Sequence, residues 1–424
     1  MADEIFEVNS EGKKTEVKQK KPRRGLFLLL GIVIGIVISV AGIGILGAYY
    51  GSVGTLSTGS SVERAVSDES MAKLQRLETL INRYYYQPED IDQEKLRNGM
   101  YDGLMSAMGD PYTTYYDEEE LKELQEDESG TYAGVGAYLT LDPDTAMTMI
   151  SGIIPNTPAE EAGLMAGDII YKVDGKETTG MDLSLVAGSV RGPVGTQVTL
   201  TIYRKGESDY REITLTRRDV VTIMVESEMK EDGIGYISLA QFDGKAASQF
   251  KENLSDLKAQ GMKGMILDLR GNPGGDVDIA VSIAKQLIPE GLIFYYEDKN
   301  GNRTEYETDG EDALGLPIIV LVNGGSASAS EILSGAIQDS GAGILLGTQT
   351  YGKGIVQSVM DLNDGTAVKI TIAKYYTRNG HDIHGIGITP DVELEFDSES
   401  YQADETDNQL DKAIELMREQ LKEN

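Results

Sequence analysis

The sequence has no cysteine, no tryptophan and only two histidines in 424 residues. Without cysteine there can be no disulfide, no thiolate zinc site and no cysteine nucleophile. Two histidines leave little room for a multi-histidine metal centre, and neither a metal nor another cofactor is expected. Positive charge is also scarce: 38 Lys and Arg face 70 Asp and Glu, a net charge of −32. That balance argues against a nucleic-acid partner, because a phosphate backbone demands clustered Lys and Arg. What is present is globular in kind, with 40% hydrophobic and 25% charged residues, and the length suits two or three domains. Any hydrolytic chemistry here is expected to do without the usual imidazole base.

The charge is unevenly spread. Residues 13–24 (KKTEVKQKKPRR) hold seven basic side chains and one acidic, and residues 25–50 hold no charge. Taking seven bases and five acids off for residues 1–24 leaves 31 and 65, so the rest of the chain carries −34. The run LFLLLGIVIGIVISVAGIGILGAYY from Leu26 to Tyr50 would make roughly 37 Å of helix against a hydrocarbon core of about 30 Å. It reads as a transmembrane signal-anchor at 25–50. The basic stub 1–24 is then cytoplasmic and the remainder extracytoplasmic, at a cell membrane crossed once. A cleaved signal peptide is the rival reading, but the run is too long and no A-x-A site follows. Gly31 and Gly35 form a GxxxG pair, more often a mere feature of a small-residue helix than a dimerisation signal.

Residues 51–62 (GSVGTLSTGSSV) read as a linker. The region 63–127 is helical by pattern: Met71, Leu74, Leu77, Leu80 and Ile81 recur at helical spacing, and Asp92 is placed to cap a second helix. The acidic run 117–128 reads as a solvated helix face. Residues 128–219 change to short strands punctuated by glycine. From 220 to 400 strands and helices alternate, which implies an α/β core, and 401–424 closes the chain as a helical segment.

The region 128–219 resembles a PDZ domain. Gly134, Val135, Gly136 and Ala137 fall where that family keeps its carboxylate-binding loop, and AGLMAGDIIYKVDG and VRGPVGT follow in the family's order. A glycine-rich turn exposes N–H groups, and the strand after it can take an extended peptide by β-augmentation. Arg191, in VRGPVG, could couple such a domain to a catalytic site, though a solvent-facing arginine is the safer assumption.

Two loops of the α/β region carry candidate chemistry. The first, Asp268-Leu269-Arg270-Gly271-Asn272-Pro273-Gly274-Gly275, follows a strand and precedes a helix, so its N–H groups suit an anion or a developing oxyanion. No Gly-Lys-Ser/Thr follows, so it is not a Walker loop. The second is Asn323-Gly324-Gly325-Ser326-Ala327-Ser328-Ala329-Ser330-Glu331. Ser328 with Glu331 fits the capping box S-x-x-E, which is its bland role. Downstream, Lys353 lies between Gly352 and Gly354, with Gln357 four residues on; residues 353, 355 and 357 share one face if that segment is extended.

A serine hydroxyl needs a base, and with so few histidines lysine is the natural candidate. A free lysine titrates at about 10.4, and depressing it by roughly 2–3 units corresponds to about 3–4 kcal/mol, which burial can supply. A neutral Gln357 carbonyl could orient the amine without adding negative charge. Ser326 and Ser330 read as loop or cap residues. His381 and His384, with Asp382 between them, lack the further ligands of a good zinc site.

The stretch VNGGSASASEILSGAIQDSGAGILLGTQTYGKGIVQS resembles the core signature of the C-terminal processing peptidases, also called tail-specific or carboxyl-terminal proteases. GDPYTTYY, GYISLAQF, DLRGNPGG and GIGITPDV extend the resemblance over nearly the whole chain beyond residue 62. It implies Ser328 as nucleophile, Lys353 as general base and Gln357 as support for the lysine. It also implies an oxyanion hole from the N–H of Ala329 and one of Gly274 or Gly275. The implied architecture is multidomain α/β and β: transmembrane helix, helical segment, PDZ domain and a ClpP/crotonase-like α/β protease core. Thr377-Arg378-Asn379-Gly380 departs from the family's usual Thr-Pro-x-Gly and touches no catalytic residue.

The expected function is a membrane-tethered serine endopeptidase of the Ser–Lys type. Its PDZ domain would capture unfolded or C-terminal peptide segments of exported proteins, and the resemblance is compatible with a homodimer through the helical segments. The alternatives are a non-catalytic PDZ-containing peptide-binding scaffold and a crotonase-like acyl-CoA enzyme.

Overall fold

The computed structural model describes residues 6–8, 14–16, 64–142 and 145–423. The transmembrane helix expected at 25–50 and the linker at 51–62 lie outside the described residues. Among the described residues, no helix is long and apolar enough to cross a membrane. The chain divides into two units, Met1–Ile91 and Asp92–Asn424. In the first, Phe6–Val8 pairs antiparallel with Lys14–Glu16, and one helix spans Asp68–Tyr84. Ser67 and Ser70 close that helix's N-terminus by exchanging side-chain and backbone hydrogen bonds. Its apolar stripe, Met71, Leu74, Leu77 and Leu80, is exposed.

In the second unit Asp92 accepts from the N–H groups of Glu94 and Lys95 and so caps the helix Gln93–Ser106. After the Gly109–Thr113 turn comes a strand the sequence pattern does not announce, Thr114–Tyr116. It pairs with Ala367–Lys369, some 250 residues downstream. The acidic run then forms the helix Glu118–Ser129.

The glycine-punctuated region folds as an antiparallel sheet in the order Arg211–Thr216, Gln197–Tyr203, Ile169–Val173, Thr148–Ile153, Ala137–Leu141. Lys176–Glu177 adds a short hairpin to Ile169–Val173. The sheet and the helix Leu183–Val190 bury Ile150, Ile170, Val186, Leu200 and Ile202. Thr131–Gly134 pairs with Arg218–Val221, so the entry and exit of this domain lie side by side.

The remaining chain builds a six-stranded sheet in the order Val225–Met229, Ile234–Leu239, Gly264–Asp268, Ile318–Val322, Gly343–Gly347, Val392–Glu393. Its first pair is antiparallel and the others parallel. Gly264–Asp268 and Ile318–Val322 are buried along their whole length, as parallel strands covered on both faces must be. One face packs against the helices Ala246–Ala259, Val277–Lys285 and Ala329–Ser340. The other is covered by the C-terminal helix Asn408–Glu423 through Ala413 and Met417. A second, antiparallel sheet of Arg303–Thr308, Gly291–Asp298, Ala367–Thr377 and Ile355–Asp361 supplies Phe294 and Tyr375 to the first of these cores.

Candidate active site

The buried strand Ile318–Val322 runs into the serine-rich turn and then into the helix Ala329–Ser340. Ser328 sits at the junction with φ 56° and ψ −116°, a conformation that costs a non-glycine residue about 1–3 kcal/mol. The turn is held from below by its two other serines, both fully buried. Ser326 Oγ donates to Leu269 O at 2.7 Å, and Ser330 Oγ donates to Asn272 O at 2.9 Å. Ser326 and Ser330 therefore fasten this turn to the first glycine loop, in keeping with a loop role. Tyr375, itself buried, donates its hydroxyl to Ser328 O at 3.0 Å. Burial holds that phenol well above its usual titration range.

Glu331 does more than complete a capping box. Its carboxylate is fully buried and accepts four hydrogen bonds. Oε2 takes the N–H of Ser328 at 2.9 Å and that of Lys353 at 2.8 Å. Oε1 takes the N–H of Gly352 at 2.7 Å and the hydroxyl of Thr350 at 2.6 Å. One carboxylate thus fixes the backbones of the serine turn and the Gly-Lys-Gly loop relative to each other. Sequence reasoning missed this, because the S-x-x-E spacing already gave Glu331 a sufficient local role.

Lys353 is half-buried. Burial pushes its amine below the ordinary lysine value, Lys369 adds to that, and Asp110 opposes it. Its Nζ lies 4.7 Å from the centroid of the Tyr112 ring. No hydrogen bond joins it to Ser328 Oγ among the described residues. Gln357 Nε2 donates to the backbone carbonyl of Tyr112, leaving Oε1 as the free acceptor of that amide. The strand Ile355–Asp361 is extended, but its register slips between Val356 and Gln357, skipping Ile372 of the neighbouring strand. Tyr112, from GDPYTTYY, is a second contributor that sequence reasoning did not single out.

The first glycine loop lies against the serine turn. A Cβ on Gly274 would stand 2.8 Å from Ser328 Cβ and 2.9 Å from Ala329 N, and its φ is +100°, so only glycine allows this approach. Fully buried Asn272 binds both sides: its carbonyl accepts from Ala327 N–H at 3.0 Å, and its side chain donates to Leu239 O at 2.7 Å. Asn272 Oδ1 also accepts the N–H of Gly274 at 2.9 Å. Gly275 N–H and Ala329 N–H meet no acceptor among the described residues and are the free donors beside Ser328. Arg270 anchors the same loop through ion pairs to Asp268 at 2.6 Å and Asp407 at 2.8 Å.

Gly134, Val135, Gly136 and Ala137 line one end of a groove of about 520 Å³ between the edge strand Ala137–Leu141 and the helix Leu183–Val190. The carbonyls of Val135 and Gly136 accept from Ala159 and Ile154. Their N–H groups meet no acceptor among the described residues. Gly136 has φ +86° and is pressed against Thr157, which leaves no room for a side chain. Arg191 also lines the groove; it lies 5.0 Å over the Tyr132 ring and pairs with Glu126 at 3.8 Å, so it is not simply solvent-facing. Gln241 and Asp243 also line the groove, and Phe242 between them bridges to Gly275. His384 donates its backbone N–H to Asp382 at 2.9 Å. Among the described residues, no group of three or more His, Asp or Glu side chains is placed to hold a metal ion.

Residues 233–394 match the model of peptidase family S41, residues 149–204 a PDZ domain, and residues 43–120 the N-terminal domain of the activating protease CtpB. A carboxyl-terminal-processing protease from Synechocystis is 38% identical over 296 residues, 69% of this chain and 69% of that one. The carboxy-terminal processing protease CtpA of Bacillus subtilis is 36% identical over 332 residues, 78% of this chain and 70% of that one. A crystal structure assigned to the S41 proteases from Bacteroides fragilis shares the fold, with a TM-score of 0.52 at 18% identity over 81% of this chain and 97% of that one.

Proposed function

The chain belongs to the carboxyl-terminal processing proteases of peptidase family S41, and on that premise we propose that Ser328 is its nucleophile and Lys353 its general base. Enzymes of this family are serine-type peptidases, so the scaffold and acyl-CoA readings are not carried further. The observation that supports the dyad is the Glu331 carboxylate, which takes the N–H of both Ser328 and Lys353 and so sets the two loops at a fixed separation. Neutral Lys353 removes the Ser328 hydroxyl proton as Oγ attacks the scissile carbonyl. The N–H groups of Ala329 and Gly275 receive the oxyanion, and Gly274 provides the close approach. The lysine ammonium then protonates the leaving amine, and a water, deprotonated by the same lysine, hydrolyses the acyl-enzyme. Gln357 Oε1 orients Nζ without adding a charge.

The substrate is an unfolded or C-terminal segment of an exported protein. It lies antiparallel to the edge strand Ala137–Leu141, with its carboxylate on the N–H groups of Val135 and Gly136. Residues 25–50 tether the enzyme to the cell membrane as a single signal-anchor, with the catalytic part extracytoplasmic. The exposed apolar stripe of the helix Asp68–Tyr84 supports a homodimer. The test is incubation of the full chain in detergent with an unstructured protein, read by mass spectrometry of the fragments. Fragments from the wild type and none from Ser328→Ala are expected. Undiminished cleavage by Ser328→Ala would overturn the assignment.

A further inference from the structure

Tyr112 belongs neither to the serine turn nor to the lysine loop, yet it touches both the proposed base, Lys353, and its support, Gln357. Its ring lies under Lys353 Nζ at 4.7 Å, and its carbonyl holds the Gln357 amide. We propose that Tyr112 is a positioning residue of the reaction: its ring face favours the Lys353 ammonium over the free amine, and so sets the pH at which the base becomes available. This rests on the assignment of Lys353 as the base.

The turn that presents Tyr112 is built, not incidental. Asp110 accepts from the N–H of Tyr112 at 3.0 Å and the hydroxyl of Thr113 at 2.7 Å. Thr113 is buried and accepts from Thr371 N–H at 3.3 Å. The next three residues then pair with the strand Ala367–Thr377. The turn therefore cannot drift from the lysine without breaking a strand pairing.

The charged and titratable groups facing Lys353 come from every element around it. Asp110 and Tyr112 lie on the turn, Lys369 on the strand Ala367–Thr377, and Glu331, which accepts the Lys353 N–H, on the nucleophile helix. Tyr351, on the lysine's own loop, acts on Tyr112, and His384, packed against Gly354, acts on Asp110. Lys369 and burial disfavour the ammonium, whereas Asp110 and the negative face of the ring favour it. The Tyr112 phenol itself is pushed up to about 12, first by its hydrogen bond with Tyr351 and then by burial. It stays neutral when the enzyme works and is not a competing base. Acylation further requires Nζ to turn from the ring to Ser328 Oγ. The ring thus opposes the reactive form in both charge and geometry.

The test is the pH profile, from 6 to 10, of kcat/KM and of Ser328 labelling by a fluorophosphonate. It uses the full chain and its Tyr112→Phe and Tyr112→Leu variants. Both substitutions keep the backbone carbonyl that binds Gln357. Leu keeps apolar bulk but removes the ring, so the acid limb moves down by about 0.5–1 pH unit, and rates below the limb rise about 3–10-fold. Phe keeps the wild-type limb. A Leu profile superimposed on the wild type, or a Phe shift as large as that of Leu, overturns the proposal. Should Leu fail to fold, 3,4,5-trifluorophenylalanine is compared with phenylalanine at 112; it keeps the shape and drains the ring's charge, and the same downward shift is required. Lys353→Ala, run alongside, separates the two ideas: if it retains activity, the base assignment fails, and not only the role of Tyr112.

Discussion

Two turns in this enzyme carry backbone N–H groups that meet no acceptor among the described residues, and they are built differently. In the PDZ domain, Val135 and Gly136 are hydrogen-bonded only through their carbonyls, in a groove beside an unpaired strand edge, with the Val135 side chain in the domain core. At the proposed catalytic centre, Gly275 lies in a loop and Ala329 opens a helix, both fixed by four fully buried polar side chains, Asn272, Ser326, Ser330 and Glu331. A carboxylate in its ground state needs donors it can reach. An oxyanion that exists only in the transition state needs donors already in place, because rearrangement at that moment would add to the barrier. On the roles proposed for the two turns, the difference in stapling is the difference between binding and catalysis.

The largest break in this comparison is expected at Glu331. Glu331→Gln turns one acceptor oxygen into a donor facing backbone N–H groups, misplacing the serine and lysine loops. We expect kcat to fall about 100-fold, with peptide affinity of the PDZ groove unchanged, read by steady-state kinetics beside a fluorescent-peptide titration. Equal losses in both would mean that Glu331 acts on the whole fold. At the other turn, Gly136→Ala places a Cβ against Thr157 at positive φ. About a tenfold loss of peptide affinity is expected from one displaced charge-assisted hydrogen bond, with Ser328 labelling by a fluorophosphonate unaffected. A fall in labelling would show that the two turns are not separable.

The smallest effect is on stability. Lys353 titrates lower in the folded chain than in the unfolded one, so its ammonium opposes folding at all pH values below the folded value. That penalty fades as pH rises and is gone above the unfolded lysine value of about 10.4. Lys353→Met should therefore raise Tm modestly at pH 7, with the gain vanishing above pH 10.4. A constant gain across that range would point to packing instead.

Much of this was legible in the sequence where the signal was local. The run PIIVLV and the serine-rich turn gave the strand and the helix start, whereas Ser328 as nucleophile came from the family resemblance and is a proposal. Asp92 was placed as the cap of the helix that follows it. What was not legible depended on partners far along the chain. Thr114–Tyr116 is a strand only because Ala367–Lys369 lies beside it. Arg303–Thr308 (RTEYET) exposes four of its six side chains and is held by its hairpin with Gly291–Asp298, so it carries no apolar alternation. Glu331 and Tyr112 were hidden for opposite reasons: one had a sufficient local role, the other none. The Asn272 side chain, which accepts the N–H of Gly274 and is the reason Gly275 is proposed as the oxyanion donor, was not legible in the sequence either.

The central claim is that an enzyme with only two histidines hydrolyses peptides on a lysine. The most direct measurement is kcat/KM on one unstructured substrate for the full-length wild type, Lys353→Ala and the double variant His381→Gln/His384→Gln. The dyad requires Lys353→Ala to lose at least about 10⁴-fold, the scale seen when a nucleophile's base is removed, while the double histidine variant stays within about threefold. A histidine variant that loses activity, beside a Lys353→Ala that keeps it, would contradict the account.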